Sequence, residues 1–308
     1  MADTMADGAK LAVDIGGTFT DVVVEWAGQQ KSIKVLTTTQ APEEGVLEGV
    51  RTVLAAADLS PSSVELGIHG TTLATNALIE RKGAETGLIA TEGFRDVVEI
   101  GRERKYELYD IHIQKPLPLA PRERRLEARE RMNFDGTVKT PLDAGSVRVA
   151  ANALVADGVT SVAISFLHAY ANPAHEQEAA AIVQAAYPEL AVSVSSDVAP
   201  EIREYERTST ALANAYIKPL ARDYLDGIQA GLQKAGVEAP LLLMLSNGGL
   251  SDLVEAKRAP VALLESGPAA GALAAAWFGR DAAGGDVLAF DMGGTTAKLA
   301  VVDGGKPE

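Results

Sequence analysis

Two segments of the sequence carry the same glycine-rich pattern, DIGGTFTD at residues 14–21 and DMGGTTAK at residues 291–298. Each lies between apolar, β-branched runs and therefore predicts a tight β-hairpin. Glycine has no Cβ, so a phosphate can approach such a turn closely, and successive N–H groups form an anion-binding nest. An aspartate at the end of a strand can hold Mg²⁺ directly or through water. Two facing copies predict a clamp for the phosphates of ATP.

The candidate metal-binding and ATP-binding residues all lie within the two motifs. We expect Asp14 and Asp291 to bind Mg²⁺ and to orient the phosphates as catalytic groups; hairpin capping is the alternative. The expected ATP-binding groups are those of the turns, namely Gly16, Gly17, Thr18, Thr20, Gly293, Gly294, Thr295 and Thr296. The threonines could also be ordinary β-branched strand starters. Asp21 is either a second acidic group near the metal or a solvated strand residue.

A third motif, His69-Gly70-Thr71-Thr72, lies at a predicted strand-to-helix junction. Backbone N–H groups at the start of a helix can bind an anion. We expect His69 to act as a general acid or base or to orient the substrate, with a structural role as the alternative. Thr71, Thr72 and Asn76 are the candidate substrate contacts. Ser266 has no evident His or Asp partner in the sequence, so no serine nucleophile is predicted.

Composition excludes several classes of function. The net charge of −14 argues against a nucleic-acid partner, because phosphate neutralisation needs clustered Lys and Arg. Cysteine is absent, which rules out disulfides and thiolate metal sites. Apolar runs are too short for a membrane span, and the first residues lack a signal-peptide pattern, so we expect a cytoplasmic protein. His112, His168 and His175 show no metal-ligand spacing; we expect no structural zinc and place His168 and His175 at the surface.

The order of predicted elements favours an α/β fold. From residue 143 onward strands alternate with helices, which is typical of a parallel sheet. Ile202–Ala235 predicts one long helix, or two helices broken at Pro219, and residues 101–122 predict a long loop. The repeated hairpin suggests two related lobes, residues 1–197 with the first phosphate hairpin and residues 198–308 with the start of a second lobe. We expect the first lobe to be complete and the second to be truncated, as in the N-terminal piece of a longer protein.

Several stretches together resemble one family. LAVDIGGTFTDVVV, HGTTLATNALIERKGAETGLIATEGFRDVVEIGR, SNGGL, ESGPAAG and DMGGTTAKLAVV are similar to the hydantoinase A / 5-oxoprolinase family, and the resemblance runs from Leu11 to Val302. That family belongs to the superfamily of actin, sugar kinases and Hsp70 chaperones. The resemblance implies ribonuclease-H-like lobes that close over ATP, with an adenosine-binding stretch downstream of the second motif.

The resemblance also implies an activity and partners. Family members use ATP to open cyclic amides such as hydantoins, 5-oxoproline or lactams, and phosphorylation of the amide carbonyl oxygen would make that poor electrophile reactive. A small cyclic amide is then the substrate, and a second, hydantoinase B-like subunit and an oligomer are expected. One alternative is the ATP-using subunit of an acetone- or acetophenone-type carboxylase. Another is a sugar-kinase-like or actin-like ATP-binding protein, against which HGTTLATNALIER argues.

Overall fold

The fold comes from a computed structural model that describes residues 8–38, 41–102, 107, 109–112, 114–281, 286–292 and 297–307. The chain forms two compact units, residues 1–80 with 221–308 and residues 81–220. These bounds differ from the lobes expected from the sequence, 1–197 and 198–308, and the division into two related lobes stays a prediction.

Strands and helices follow one another through the described residues. Up to residue 80 they are β1 (Ala9–Ile15), β2 (Phe19–Trp26), β3 (Gln29–Leu36), α1 (Pro42–Ala56), β4 (Val64–Thr71) and α2 (Leu73–Ile79). Residues 81–220 add β5 (Thr86–Thr91), α3 (Val97–Ile100), β6 (Arg125–Ala128), β7 (Arg131–Met132), β8 (Val138–Thr140), α4 (Ala144–Ala156), β9 (Ser161–Ser165), α5 (Ala174–Ala186), β10 (Ala191–Val194) and α6 (Ser195–Val198). The helix α7 (Glu204–Lys234) crosses into the first unit and leads to β11 (Leu241–Met244), β12 (Leu250–Ser251), α8 (Leu253–Arg258), α9 (Ser266–Phe278), β13 (Val287–Met292), β14 (Ala297–Asp303) and β15 (Lys306–Pro307).

Within the described residues, the first unit has a six-stranded sheet in the order β12-β11-β4-β1-β2-β3. β1, β2 and β3 are antiparallel neighbours, whereas β4 runs parallel to β1 and β11 runs parallel to β4. This order confirms the expected ribonuclease-H-like α/β fold. The helix α1 packs on β2 and β3. Its Val46, Val50 and Val53 are buried at helical spacing, and Gly49 lets it approach, since a Cβ there would lie 2.6 Å from a methyl of Val22.

The second predicted hairpin is also present in the first unit. β13 and β14 pair as antiparallel strands, β15 extends them, and α9 packs against both β13 and β14. The turn residues Gly293, Gly294, Thr295 and Thr296 lie outside the described residues. The strands that carry the second motif are therefore confirmed, and the conformation of its turn stays a prediction.

The second unit is built on a parallel sheet, as the sequence predicts. Its order, within the described residues, is β10-β9-β5-β6, and every neighbouring pair is parallel. Ile89 and Ile164 point toward α4 and α5, whereas Leu88 and Ala163 pack with Leu212 of α7. Because helices cover both faces, β5 and β9 are buried along their whole length.

The helix α7 decides between the two alternatives that the sequence left open. It is one helix with Pro219 inside it. Proline has no N–H to donate to the carbonyl four residues earlier. That carbonyl belongs to Ala215, and the Ser161 hydroxyl donates to it at 2.6 Å, while the Ala84 N–H donates to the carbonyl of Tyr216 at 2.9 Å. Neighbouring groups thus satisfy the carbonyls that a proline in a helix exposes.

Two of the histidines differ in their surroundings. The surface position predicted for His175 is wrong, because its side chain is buried with Nδ1 2.8 Å from Oε2 of Glu130, itself buried. A carboxylate partner inside the fold satisfies this histidine, and the sequence spacing did not reveal it. His168 is half-buried. In the part of the chain that the structure describes, no helix combines the length and apolarity needed to cross a membrane.

The helix α4 offers a matched test of the core of the second unit. Val147 is fully buried, whereas Val149, on the same helix, is 69% exposed. We expect Val147→Ala to lower the free energy of unfolding by about 2 kcal/mol, through lost burial and the cavity left behind. Val149→Ala should change it by less than about 0.5 kcal/mol, because alanine also favours the helix. Urea denaturation measures both, and equal effects would contradict the described packing.

Candidate functional site

The first hairpin forms a tight turn between β1 and β2. The Gly16 N–H donates to the carbonyl of Phe19 at 2.9 Å, and neither Gly16 nor Gly17 adopts a positive φ. Glycine at position 16 lets the two strands approach closely at the turn, because a Cβ there would lie 3.1 Å from the Phe19 carbonyl oxygen. Gly17 and Thr18 are exposed at the tip. The tip can therefore present backbone and hydroxyl groups to a ligand.

Two threonine hydroxyls fix this turn from the inside. The Thr37 hydroxyl donates to the carbonyl of Gly16 at 2.9 Å, and the Thr20 hydroxyl donates in turn to Thr37 at 3.0 Å. The Thr37 N–H also donates to the carbonyl of Thr18 at 3.0 Å. Thr20 is fully buried. Of the two threonines predicted to bind phosphate in the first motif, Thr18 lies at the surface. Thr20 instead supports the turn from inside, and its hydroxyl is not exposed to a ligand.

The parallel pairing of β1 and β4 brings the HGTT motif beside the first hairpin. Asp14 lies opposite Gly70, and Ile15 lies opposite Thr71. The position of Gly70 is crowded, because a Cβ there would lie 3.0 Å from Oδ1 of Asp14. A glycine at this point of β4 therefore leaves room for the carboxylate at the end of β1.

His69 is enclosed, with both ring nitrogens engaged. It is 1% exposed; Nδ1 lies 3.2 Å from the carbonyl of Val13, and Nε2 lies 2.7 Å from the hydroxyl of Tyr224. Burial lowers the pKa of His69 from 6.5 to about 4 and raises that of Tyr224. At neutral pH the neutral ring therefore donates from Nδ1 to Val13 and accepts at Nε2 from the tyrosine. These contacts favour a positioning role for His69; the proton-transfer role expected from the sequence stays a prediction.

The predicted substrate residues lie next to the first hairpin. The Thr72 hydroxyl and N–H both donate to the carbonyl of Ile15, at 3.1 and 3.2 Å. Asn76 Nδ2 donates to the Thr72 hydroxyl at 3.3 Å and lies 4.0 Å from where a Cβ of Gly17 would be. Thr71 is buried, and its hydroxyl accepts from the N–H of Leu73 at 3.1 Å. Asn76 and Thr72 thus border the tip of the hairpin, whereas Thr71 faces inward.

Negative charge gathers at the end of β1. Asp14 lies opposite Asp21, whose carboxylate is 2.7 Å from Nζ of Lys34. One side of Asp14 is open to solvent, but the protein around its other sides withdraws water and raises the pKa of the carboxyl group. The charges of Asp21 and Asp291 raise it further, and Lys298 and Lys34 offset part of the rise. The aspartates of the two motifs therefore lie within electrostatic reach of each other in the first unit.

The second hairpin repeats the register of the first with one change of charge. Asp291 lies opposite Lys298, as Asp14 lies opposite Asp21. Nζ of Lys298 is 3.7 Å from Oε2 of Glu265. Lys298 is not among the residues predicted from the sequence, although alignment of the two motifs places it at the position of Asp21.

The ESGP segment reaches this site from the start of α9. Glu265 has a left-handed backbone with φ 57°, and its N–H donates to the Thr75 hydroxyl at 3.2 Å. The buried Ser266 hydroxyl donates to the carbonyl of Thr71 at 3.4 Å. A non-glycine residue in this conformation stores strain that surrounding contacts must hold. These bonds tie the segment to the HGTT motif and α2.

The donors at this site fit a hydrated divalent cation. The described residues include no cluster of three or more His, Asp or Glu side chains able to enclose a metal ion. Mg²⁺ commonly keeps several waters and takes only one or two carboxylates together with phosphate oxygens. Asp14 and Asp291, with Asp21 nearby, supply the negative charge that such an ion would neutralise.

The fold and the paired hairpins define an α/β protein of the actin, sugar kinase and Hsp70 type. The family profile described as the hydantoinase/oxoprolinase N-terminal region matches residues 10–187, and the hydantoinase/oxoprolinase profile matches residues 207–308. The chain belongs to the hydantoinase/oxoprolinase family, as the sequence motifs predict.

Three relatives show how this chain compares with known proteins. An uncharacterized protein of Methanocaldococcus jannaschii is 39% identical over 98% of this chain and 45% of its own length. The caprolactamase subunit alpha of Pseudomonas jessenii is 36% identical over 96% and 44%, and the crystal structure of that ATP-dependent caprolactamase matches with a TM-score of 0.84, 34% identity and the same coverages. A nucleotide-free structure of acetone carboxylase, from work on ATP-dependent acetone carboxylation, matches with a TM-score of 0.88 and 27% identity over 98% and 45%. The chain thus spans less than half the length of these relatives.

The environment of His69 gives a testable titration. We expect the ring to stay neutral down to about pH 4, because burial opposes its protonation. NMR titration of the histidine resonances measures this, with His69→Gln to assign the signal. The unfolded chain takes the proton near pH 6.5, so the free energy of unfolding should fall as pH drops from there to 4, by about 3 kcal/mol from this residue. A His69 signal that titrates near pH 6.5 would contradict the enclosed ring.

Proposed function

We propose that the protein containing this chain hydrolyses a cyclic amide, such as a hydantoin, 5-oxoproline or a lactam, with the use of ATP. The observation that carries the proposal is the position of Glu265, whose carboxylate is 3.7 Å from Lys298 of the second hairpin and whose N–H donates to Thr75, next to the HGTT motif and the first hairpin. These contacts support a single site formed by the two Gly-Gly-Thr hairpins. A relative that is an ATP-dependent caprolactamase supports the class of substrate.

The first step is transfer of a phosphoryl group to the substrate. The amide oxygen attacks the terminal phosphorus of ATP, an O–P bond forms, and the bond to the β-phosphate oxygen breaks to release ADP. Water then adds to the activated carbon, the ring C–N bond breaks as nitrogen takes a proton, and a second water releases phosphate from the acyl phosphate. Such a transfer needs positioning and charge neutralisation, with no covalent nucleophile from the protein.

The proposed roles follow from the described positions of the first hairpin and the HGTT motif, and from the repeat of the same motif in the second hairpin. Gly16, Gly17 and Thr18 at the first tip, with their counterparts Gly293, Gly294, Thr295 and Thr296, bind phosphate oxygens. Asp14 and Asp291 would hold Mg²⁺, which would neutralise phosphate charge. Thr72 and Asn76 border the substrate side. His69 and Tyr224 fix the ends of β1 and β4, on which this geometry depends.

A carboxylase is the second candidate. The acetone carboxylase structure superimposes on nearly the whole chain with a TM-score of 0.88. The phosphorylated species would then be an enolate oxygen or a carboxylate, with bicarbonate as cosubstrate. Both candidates use the same pair of hairpins, and an additional hydantoinase B-like subunit in an oligomeric assembly is proposed for either.

A substrate screen separates the two candidates. The full-length protein, with any partner subunit, is assayed for ADP release in the presence of hydantoins, 5-oxoproline, lactams, or acetone with bicarbonate. We expect stimulation by a cyclic amide. ADP release that is stimulated only by acetone with bicarbonate would overturn the proposed hydrolase activity and support the carboxylase activity.

Two aspartate variants test the site itself. Asp291→Asn should lower kcat for ATP hydrolysis by about 100-fold or more, because it removes a charge that orients the metal and phosphates. Asp303→Asn changes an exposed aspartate in β14 and should leave kcat within about twofold, as expected for a surface charge without a partner in the reaction. Undiminished turnover in Asp291→Asn would refute the proposed site.

A further inference from the structure

The two hairpins have the same register but opposite charge at one position. In the first, Asp14 lies opposite Asp21; in the second, Asp291 lies opposite Lys298. The first hairpin therefore offers two carboxylates, whereas the second offers a carboxylate and an ammonium. This difference in charge would allow the two hairpins to take different tasks in one site.

The two lysines near Asp14 differ in their partners. Lys34 forms a close ion pair with Asp21, with Nζ 2.7 Å from Oδ2, and both side chains are about half exposed. Lys298 is 3.7 Å from Glu265, longer than a direct hydrogen bond, and its side chain is only 27% exposed. Lys298 also lies opposite Asp291 across the second hairpin. Lys298 is thus a sheltered cation near the acidic groups, held by a loose ion pair that a stronger anion could displace.

Glu265, the partner of Lys298, lies next to the segment that carries the candidate substrate contacts. The Glu265 N–H is bound to Thr75 of α2, and the neighbouring Ser266 is bound to the carbonyl of Thr71. Asn76 and Thr72 belong to the same junction. Of the phosphates of ATP, the terminal one is transferred and must face the substrate.

We propose that Lys298 binds the terminal phosphate of ATP: its ammonium leaves Glu265 when the nucleotide binds and neutralises the phosphoryl group that is transferred. This role rests on the proposed function, because it requires ATP between the two hairpins. It adds recognition of the terminal phosphate to the second hairpin, which shares the metal with the first hairpin through Asp291. ADP lacks that phosphate, so Lys298 also makes the site distinguish ATP from ADP.

The test compares the binding of two nucleotides by the full-length protein. Isothermal titration calorimetry measures Kd for a non-hydrolysable ATP analogue and for ADP, each with Mg²⁺. Lys298→Gln should weaken binding of the ATP analogue by about 10- to 100-fold, the range expected for a charge-assisted hydrogen bond, and ADP binding by less than about twofold. Lys306→Gln, in the adjacent β15, is the matched control and should change neither. Equal weakening for both nucleotides, or none, would overturn the role of Lys298.

A second measurement needs no variant. The protein without substitutions is treated with an acetylating reagent, and the acetylated fractions of Lys298 and Lys306 are measured by mass spectrometry. The ATP analogue should protect Lys298 at least about fivefold relative to ADP, a difference that a contact contributing about 1 kcal/mol would give; Lys306 should react equally in both. Equal modification of Lys298 with ADP and with a bound ATP analogue would refute the contact. If the unmodified protein binds no ATP analogue, the proposed function fails, and the role of Lys298 fails with it.

Discussion

The candidate site depends on the parallel pairing of β1 with β4. This pairing sets Asp14 opposite Gly70 and Ile15 opposite Thr71, so one edge of the sheet carries both the first hairpin and the HGTT motif. His69 reinforces the pairing, because its neutral ring bridges the carbonyl of Val13 and the hydroxyl of Tyr224. Such a buried polar bridge is favourable only when every polar atom is satisfied, and it therefore favours one alignment of the strands.

The same alignment concentrates like charges at a cost to stability. Desolvation and the charges of Asp21 and Asp291 together raise the pKa of Asp14, which means that its ionised form is disfavoured there. Perturbed carboxylates of this kind cluster at functional sites. A bound cation would offset the repulsion, and Lys298 and Lys34 offset part of it within the chain. Binding of a cation together with phosphate would thus relieve the repulsion among Asp14, Asp21 and Asp291.

Local sequence patterns were sufficient to predict the strands of the two Gly-Gly-Thr hairpins and the parallel sheet of the second unit. Their signals are short-range: alternation, glycine turns and helical spacing. The insertion of residues 81–220 before β11 rejoins the first sheet could not be read this way, because strand pairing across such a distance leaves no local mark. The partnership of His175 with Glu130 was missed for the same reason.

The sequence predicted which residues lie near the candidate site better than it predicted their hydrogen-bond partners. Asp14, Thr18 and Asn76 lie where the motifs suggested, at or beside the first hairpin. Thr20 was also predicted to bind phosphate, but the alternation of β2 turns it inward to Thr37. Tyr224 lies on a helix far along the chain, so its bond to His69 is visible only in three dimensions. Lys298 could have been found by comparing the two motifs position by position.

The central claim is that both hairpins bind one nucleotide. A structure of the full-length protein with Mg²⁺ and a non-hydrolysable ATP analogue tests it most directly. We predict that the β- and γ-phosphates lie between the turn at Gly16–Thr18 and the turn that joins β13 to β14, with Asp14 and Asp291 on the water shell of the metal. A nucleotide whose phosphates contact neither turn, or only one of them, would contradict the claim.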